Sequence, residues 1–398
     1  MLNAAILASV VLTAILLWSP RLQKLPSWRA MITPLASIIG SGFLVLGPIL
    51  DESYGKYAPL AMAALCIVAY FFGAAVRFNI ATIGDAPTKR SAPEERLETL
   101  ASAMLGFAYM ISVAYYLNLF GAFGLSLTPV NDPTNAKLLT TAVFAIILYV
   151  GWTRGFRTLE SMEYFSVTMK LSIIAGLLVG MAVYFFGKLE TGQLIFLPPQ
   201  TTGWASVTLA FGLIVTVQGF ETSRYLSETY DAATRIRSMH WAQWISTAIY
   251  MTYILLLAYV FQQGELELTE TAIVDMMKVV APILPVLLVA AALAAQFSAA
   301  VADTSGSGGL IAELSGNRLS SRQAYALLVA IGLVLTWTAN VFEIIAYASR
   351  AFAAYYAIQA AIAAVAAHRQ SKGLRSAAFW LLALLGAAIV GFGQAVAA

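Results

Sequence analysis

Ile39-Gly40-Ser41-Gly42-Phe43 and Gln218-Gly219-Phe220-Glu221 decide the fold of this chain, because each stretch interrupts a long apolar segment with glycine. The first lies within an apolar segment at about 30–50 and the second within one at about 204–226. A helix that breaks in lipid leaves backbone N–H and C=O groups unpaired, which is tolerated only where protein, water or a ligand satisfies them. Paired interruptions therefore predict a substrate site near the bilayer midplane. The alternative is close helix packing through small residues.

The composition is that of a polytopic membrane protein. Of the 398 residues, 60% are hydrophobic and only 11% are charged, whereas a soluble domain carries about 25% charged residues. No hydrophilic block is large enough for a soluble catalytic, ATP-binding or DNA-binding domain. The 23 basic and 20 acidic residues give only a small excess, which does not suggest nucleic acid as a partner. We therefore expect a protein of the lipid bilayer that is not an enzyme and uses no cofactor.

Cysteine and histidine give no sign of a metal site. The chain has one cysteine, Cys66, so neither an intrachain disulfide nor a cysteine-based metal site is possible within it. The two histidines, His240 and His368, lie near predicted helix ends, where interfacial polar residues are common. No metal is expected.

Long apolar runs recur along the chain and predict an all-α integral membrane fold of about twelve transmembrane helices. The predicted spans are 2–18, 29–50, 58–82, 97–126, 137–152, 160–186, 204–226, 238–262, 283–313, 322–340, 343–368 and 375–397. They divide the chain into an extra N-terminal transmembrane helix with a cytoplasmic loop (1–28), a first five-helix repeat (29–188), a second five-helix repeat (204–368) and a C-terminal transmembrane helix (375–398).

The distribution of basic residues predicts the orientation, because cytoplasmic loops are enriched in lysine and arginine. Alternate loops, starting with the one after the first span, carry Arg21, Lys24, Arg29, Arg77, Lys89, Arg90, Arg96, Arg154, Arg157, Arg224, Arg235, Arg237, Arg318, Arg322, Arg369, Lys372 and Arg375. The loops at the other end carry Lys56, Lys137, Lys188 and Lys278. The prediction is a multi-pass protein of the plasma (inner) membrane with both termini on the outer side. We refer to the two ends as the basic end and the opposite end.

The spans also predict an inverted repeat. Without the first and last spans, ten remain, five from about 29 to 186 and five from about 204 to 368. The first five begin by crossing from inside to outside, and the second five begin from outside to inside. Each half opens with a glycine-broken span, so we predict a five-plus-five inverted-repeat core with discontinuous first and sixth core helices.

The breaks are predicted to bind opposite ends of a zwitterion. N–H groups exposed at the start of the outer half-helix, after Gly40-Ser41-Gly42, favour an anion such as a carboxylate. Freed carbonyl groups near Gln218 and Glu221 suit a cation or an ammonium group.

Intramembrane ionisable side chains are functional candidates, and we single out four of them. They are Lys170, Glu221, Asp303 and Arg350, and their charges sum to zero, which suggests pairing. Lys170 and Asp303 each lie about ten residues from the cytoplasmic ends of their spans, so they can meet, and such a pair can load and release a proton. The alternative is a static ion pair that locks two helices.

Arg350 is a candidate gate residue, and so are Tyr115 and Tyr347. Arg350 lies roughly eight residues below the outer surface, where it can cap a passage, bind a carboxylate, or pair with Glu221 or Glu343. The alternative for the arginine is snorkelling to the interface, and for the tyrosines it is ordinary helix packing.

At these residues the chain resembles the amino acid–polyamine–organocation (APC) superfamily. Ile39-Gly40-Ser41-Gly42-Phe43 is similar to the motif of the family's first core helix, and Gly219-Phe220-Glu221 is similar to that of its sixth. The loop from Ser227-Glu228 to Arg237 resembles the acidic-then-basic loop that follows. Val167-Thr168-Met169-Lys170-Leu171 resembles the fifth-helix segment whose lysine marks proton-coupled members.

The resemblance implies which residues bind substrate and which carry the proton. Family members hold an amino acid's carboxylate at the first break and its amine at carbonyl groups of the sixth helix, and their lysine ammonium occupies the sodium position of sodium-coupled relatives. On that basis Ile39, Ser41, Gly42 and Gly219 contact the substrate and Lys170 is the proton switch. Together with the residues singled out from the sequence itself, the expected substrate-binding set is Ile39, Gly40, Ser41, Gly42, Gln218, Gly219, Phe220 and Glu221, and the expected proton-coupling residues are Lys170 and Asp303. The chain departs from the pattern at Asp303, where small or hydroxylic residues are usual.

The sequence therefore predicts a secondary transporter that moves a small amino acid or related amine by alternating access, coupled to protons. One alternative keeps the fold and moves an inorganic cation or a polyamine, with Glu221 and Asp303 as direct ligands. An alternative of another class is a membrane receptor or scaffold, against which the lack of a soluble output domain weighs.

Overall fold

The chain folds into α-helices and short 3₁₀-helices. The computed structural model describes residues 1–40, 42–84, 92–153, 163–227, 229–262, 268–316 and 318–397, and within those ranges it has no β-strand. The α-helices are α1 (Leu2–Leu17), α2 (Pro20–Gln23), α3 (Pro26–Ile38), α4 (Gly42–Tyr54), α5 (Ala58–Ile83), α6 (Ala92–Leu125), α7 (Pro133–Thr153), α8 (Glu163–Glu190), α9 (Gly203–Gly212), α10 (Ala232–Leu257), α11 (Ala272–Val280), α12 (Leu284–Leu314), α13 (Ser321–Thr338), α14 (Val341–Arg369) and α15 (Gly373–Phe392). The 3₁₀-helices are Gly55–Tyr57, Ile214–Val217 and Phe220–Tyr225.

Seven helical segments of the described chain are long and apolar enough to cross a membrane. They are Gly42–Ile83, Ala92–Leu125, Pro133–Thr153, Glu163–Glu190, Leu284–Leu314, Val341–Arg369 and Gly373–Phe392. The membrane class and the all-helical fold are thus confirmed. The count of twelve and the inverted repeat stay predictions, because the other predicted spans form helices that are broken, shorter or less apolar.

Helix starts follow from the local sequence. Pro26 stands in the first turn of α3, where a missing N–H costs nothing. Asp231 precedes α10, and its side chain accepts a 2.7 Å hydrogen bond from the Thr234 N–H. Ser320 before α13 and Asn340 before α14 each form a capping box with the residue three positions on. These caps fix where the helices enter the bundle.

Both extra helices pack on the core. α1 lies along α8, where Gly176 and Gly180 leave room for the side chain of Ile6. α15 lies along α14, where Gly386 meets Ala357. In between, α6 packs against both α12 and α14. α4 and the 3₁₀-helix Ile214–Val217 are buried almost throughout, so both breaks lie in the interior of the bundle.

Candidate functional site

The first glycine-broken span is interrupted as predicted. α3 ends at Ile38, and the Ile39 N–H donates the last helical bond to the Leu35 carbonyl at 3.0 Å. Ile39 itself has φ −84° and ψ 59°, which is not helical, and α4 begins at Gly42. Ser41, one of the predicted substrate-binding residues, lies outside the described residues. The bundle therefore contains two half-helices in place of one span at this position.

Lys170 meets the end of the first half-helix. Its side chain, 4% exposed on α8, donates from Nζ to the carbonyl oxygen of Ala36 in the last turn of α3. Gly40 and Lys170 line the same small cavity of about 20 Å³. The C-terminal end of a helix carries partial negative charge, so the break gives the ammonium group an electrostatic partner.

The expected meeting of Lys170 with Asp303 is not observed. Lys170 bonds to a backbone carbonyl of α3, whereas Asp303 accepts a hydrogen bond from the Ser112 hydroxyl of α6. Equal depth along two helices does not fix the direction in which their side chains point, and here the two point to different neighbours. The pairing expectation was therefore wrong for this conformation, while the coupling role of each residue stays a prediction.

The second broken span departs further from an α-helix. α9 ends at Gly212, the 3₁₀-helix Ile214–Val217 follows, and Gln218 is extended at φ −102° and ψ 179°. Gly219 has φ +120°, a conformation that only glycine adopts without strain. The 3₁₀-helix Phe220–Tyr225 then completes the span. The glycine is thus required by the backbone itself.

The two breaks touch each other. A Cβ on Gly42 would lie 2.9 Å from the Thr216 Cα, and a Cβ on Gly219 would lie 2.5 Å from the Ser37 Cβ. The Tyr250 hydroxyl on α10 lies 2.8 Å from the Ile38 carbonyl oxygen and 2.6 Å from the Thr216 carbonyl oxygen. Backbone groups freed at both breaks therefore share one side-chain partner.

Ser349 on α14 completes the second break. Its hydroxyl donates to the Gly212 carbonyl at 2.7 Å and accepts from the Val215 N–H at 3.1 Å. Both backbone groups belong to the turn where α9 gives way to the 3₁₀-helix. A single buried hydroxyl therefore replaces helical hydrogen bonds that the break removes.

We expect Ser349→Ala to destabilise the protein by about 1–3 kcal/mol, since it leaves buried backbone groups without a partner. The measurement is thermal unfolding in detergent. Ser206→Ala is the matched control, because the Ser206 hydroxyl bonds only within its own exposed turn, to the Gly203 carbonyl at 2.8 Å. Equal melting temperatures for the two variants would contradict the bridging role.

Two carboxyl groups lie beside the breaks. Glu221 accepts a hydrogen bond from the Gly219 N–H at 3.1 Å and another from the Tyr356 hydroxyl. Asp303 accepts from Ser112, and the two carboxyl groups are close enough for their charges to interact. Among the described residues, no arginine or lysine forms an ion pair with either one. The site is consequently acidic.

A chamber of about 520 Å³ adjoins both breaks. Ser37 of α3 and Thr222 of the Phe220–Tyr225 helix line it, as do Tyr109 and Asp303. Glu163 and Glu313, which stand next to basic loops in the sequence, also line it. The chamber therefore lies on the basic-end side of the breaks. On the other side, α4 is buried almost throughout its length.

The other predicted substrate-binding residues lie at the breaks. Ile39 and Phe220 are fully buried, and the Phe220 ring packs on that of Tyr356 with centroids 5.0 Å apart. Gln218 is 3% exposed, and its side-chain amide nitrogen and oxygen have no hydrogen-bond partner among the residues that the structure describes. An unpartnered buried amide at this position is available for a solute or for water.

The three predicted gate residues separate into two places. The Tyr115 hydroxyl lies beside the first break, 3.0 Å from where a Cβ on Gly42 would be. Tyr347 and Arg350 instead line an open groove on the outside of α14. The Arg350 Nε donates to the Val390 carbonyl of α15 at 2.7 Å. Because of this hydrogen bond, the Arg350 side chain points towards α15 and away from the breaks.

The expected pairing of Arg350 with Glu221 or Glu343 is not observed. Glu221 bonds to Gly219 and Tyr356, and the Glu343 carboxylate accepts from the Asn340 N–H at 2.8 Å. The sequence gave no indication of the side of α14 on which Arg350 lies.

Sequence reasoning did not identify Ser112, Tyr250, Ser349 and Tyr356. Each is a buried polar side chain in an apolar span, and each bonds to a group at or beside a break. Buried hydroxyl groups are common inside helix bundles, so their type and spacing alone did not separate these four from others.

The fold and site define an integral membrane protein built around two broken helices that meet at a polar chamber. A family profile described as "APC superfamily transporter" matches residues 20–393. The chain belongs to this superfamily of membrane transporters. It is also 40% identical over 403 residues to an uncharacterized protein of Aquifex aeolicus (strain VF5), and the match covers 98% of this chain and 97% of that protein.

Proposed function

We propose that the protein is a secondary active transporter that moves a small amino acid or related amine across the plasma membrane by alternating access. The direct contact between the two helix breaks beside the 520 Å³ chamber carries this proposal. That volume is within the usual range of small-molecule sites, about 300–1,000 Å³. The chamber lies on the basic-end side of the breaks, as one end state of alternating access requires.

Both charged groups of a zwitterion have complementary partners here. The N-terminal end of α4, starting at Gly42, offers backbone N–H groups and a positive dipole end to a carboxylate. Glu221, the acidic chamber and the free amide of Gln218 suit an ammonium group. These groups orient the solute with its carboxylate towards α4 and its amine towards the second break.

Proton symport is the coupling that we propose. Lys170 donates to the Ala36 carbonyl of α3, the half-helix whose Ser37 lines the chamber. Loss of the Lys170 proton would leave that carbonyl without its charged partner, so protonation and the position of α3 are linked. Binding of solute and proton together favours the loaded state, which then opens to the other side.

Reconstitution into proteoliposomes tests the function. A thermal-shift screen against amino acids, amines and cations first identifies a ligand, because a ligand of the folded form raises apparent stability. We expect that ligand, added as a radiolabelled solute, to accumulate against its gradient when the pH gradient is imposed and to leak out when a protonophore is added. Equilibration without accumulation of any ligand found in the screen would contradict active transport.

The second candidate substrate is an inorganic cation or a polyamine. It is favoured by the two carboxyl groups of Glu221 and Asp303, which have no ion-pair partner among the described residues. In that case both carboxylates bind the cargo directly. Replacement of Asp303 separates the two functions.

For amine transport, we expect Asp303→Asn to bind solute within about twofold of the parent affinity but to lose pH-gradient stimulation at least about tenfold, a change of roughly 1.4 kcal/mol. The asparagine keeps the size of the side chain and removes the titratable group. Ligand titration and proteoliposome uptake measure the two effects. Asp132→Asn is the control, since Asp132 caps an exposed turn and asparagine caps equally well. Abolished cation binding would instead establish the second candidate.

A further inference from the structure

The groove that holds Arg350 is separate from the chamber and has a composition of its own. Its volume is about 420 Å³, and it is open along the outer surface of α6, α13, α14 and α15. Apart from Arg350 and Tyr347, its walls are apolar, with Phe107, Ile111, Leu335 and Ala354 among them. Three of these helices, α6, α14 and α15, are long and apolar enough to cross a membrane, so the groove faces lipid. A single guanidinium group therefore lies in an apolar channel against the acyl chains.

This guanidinium group has capacity to bind an anion. Its Nε donates to the Val390 carbonyl, and no carboxylate of the described residues pairs with it. A guanidinium group has five N–H donors in a planar fork that matches the oxygens of a phosphate. A charged group at this position in lipid is costly unless it has a counter-ion. Charge complementarity thus favours an anionic occupant.

The geometry places the group at the level of the phospholipid headgroups. α15 has 20 residues and hence a length of about 30 Å, which is the thickness of the hydrocarbon core. Val390 lies two residues before its end at Phe392. Phe392 packs on Trp204 with ring centroids 5.6 Å apart, and aromatic residues of this kind mark the membrane interface. Val390 and the bound guanidinium are therefore near the boundary between acyl chains and headgroups.

The direction of the arginine agrees with this level. Side chains of an α-helix point towards its N-terminal end, and α14 begins at Val341, at the end of the bundle where α15 stops. Arg350 thus extends towards the interface, while the apolar part of the groove continues below it along Phe107 and Ile111. This arrangement fits a headgroup above and an acyl chain below.

We propose that the groove binds one anionic phospholipid of the leaflet at the opposite end, with the headgroup phosphate on Arg350 and an acyl chain along the apolar wall. A lipid with a net negative headgroup, such as phosphatidylglycerol, binds in preference to phosphatidylcholine, whose choline cation is repelled by the guanidinium. The inference is independent of the transported solute, since none of the groove residues lines the chamber.

Native mass spectrometry of the delipidated full-length protein, titrated with phosphatidylglycerol or phosphatidylcholine, tests the proposal. We expect one tight phosphatidylglycerol per chain, with an affinity about tenfold above that of phosphatidylcholine. Arg350→Gln should weaken the tight phosphatidylglycerol site at least about tenfold. Arg375→Gln, which removes the same charge from the exposed start of α15, is the control and should leave the site within about twofold.

A second variant keeps the arginine and fills the groove. Ala354→Leu adds bulk to the apolar wall and leaves the Arg350–Val390 hydrogen bond in place, so it decides the question even if Arg350→Gln does not fold. We expect it to displace the tight phosphatidylglycerol to a similar extent. Equal binding of both lipids, or unchanged phosphatidylglycerol affinity in Ala354→Leu, would overturn the proposal. So would tight binding of oleate alone, which would assign the site to a free carboxylate.

Discussion

Lys170→Ala should abolish the response of transport to an imposed proton gradient while solute exchange continues. Accumulation driven by the gradient should fall at least about tenfold, and counterflow exchange should stay within about twofold of the parent rate. The physical reason is that the ammonium group is the charged partner of the Ala36 carbonyl at the end of α3. Without that group, the position of α3 no longer depends on a proton. Proteoliposome uptake with and without a pH gradient measures both rates.

Lys188→Ala is the matched control for Lys170→Ala. Lys188 is in the last turn of the same helix, α8, and its ammonium group bonds to the exposed side chain of Gln193 at 3.1 Å. Each variant removes one lysine from α8, but only Lys170 contacts a break. Unchanged gradient stimulation in Lys170→Ala would refute the assignment, and so would a sodium requirement in the parent protein. If Lys170→Ala instead loses both solute exchange and thermal stability, the role of Lys170 is only to hold two helices together.

Gly219→Ala should remove transport and lower the stability of the protein. The new Cβ would lie 2.5 Å from the Ser37 Cβ and 2.6 Å from the Ser37 carbonyl carbon, so the backbone of α3 has to move. The φ of +120° adds backbone strain of about 1–3 kcal/mol, and overpacking of this kind costs about 1–3 kcal/mol more. Thermal unfolding and uptake of the screened solute are the two measurements.

Gly192→Ala separates backbone strain from the contact between the breaks. Gly192 also has a positive φ, +67°, but nothing lies within 4 Å of an added Cβ. We expect this variant to lose stability modestly and to keep its transport rate. If Gly219→Ala behaves like Gly192→Ala in both assays, close approach of the two breaks is not needed for function.

The sequence identified the breaks correctly because their cause is local. Glycine, which stands at positions 40, 42 and 219, allows a non-helical backbone. The apolar residues on both sides of these glycines indicate that the breaks lie in the membrane. Helix starts were also accessible to sequence reasoning wherever a capping side chain precedes the span, as Asn340 does for α14. Both features depend only on residues close together in the chain.

The partners of the charged groups could not be predicted in the same way. Rise per residue gives the depth of Lys170, Asp303 and Arg350 along their helices, but rotation about each helix axis depends on packing with distant segments. That rotation points Lys170 to α3, Asp303 to Ser112 and Arg350 to α15. Hydroxyl groups such as those of Ser349 and Tyr250 were missed for the same reason.

The Tyr250 hydroxyl has one hydrogen and two carbonyl neighbours, Ile38 and Thr216. A single hydrogen cannot fully satisfy two acceptors, so the two oxygens compete for the tyrosine bond. The oxygen that receives the weaker bond keeps a lone pair that suits an N–H donor of the proposed cargo. A substrate with an ammonium group would supply the second hydrogen-bond donor that these two carbonyl groups lack.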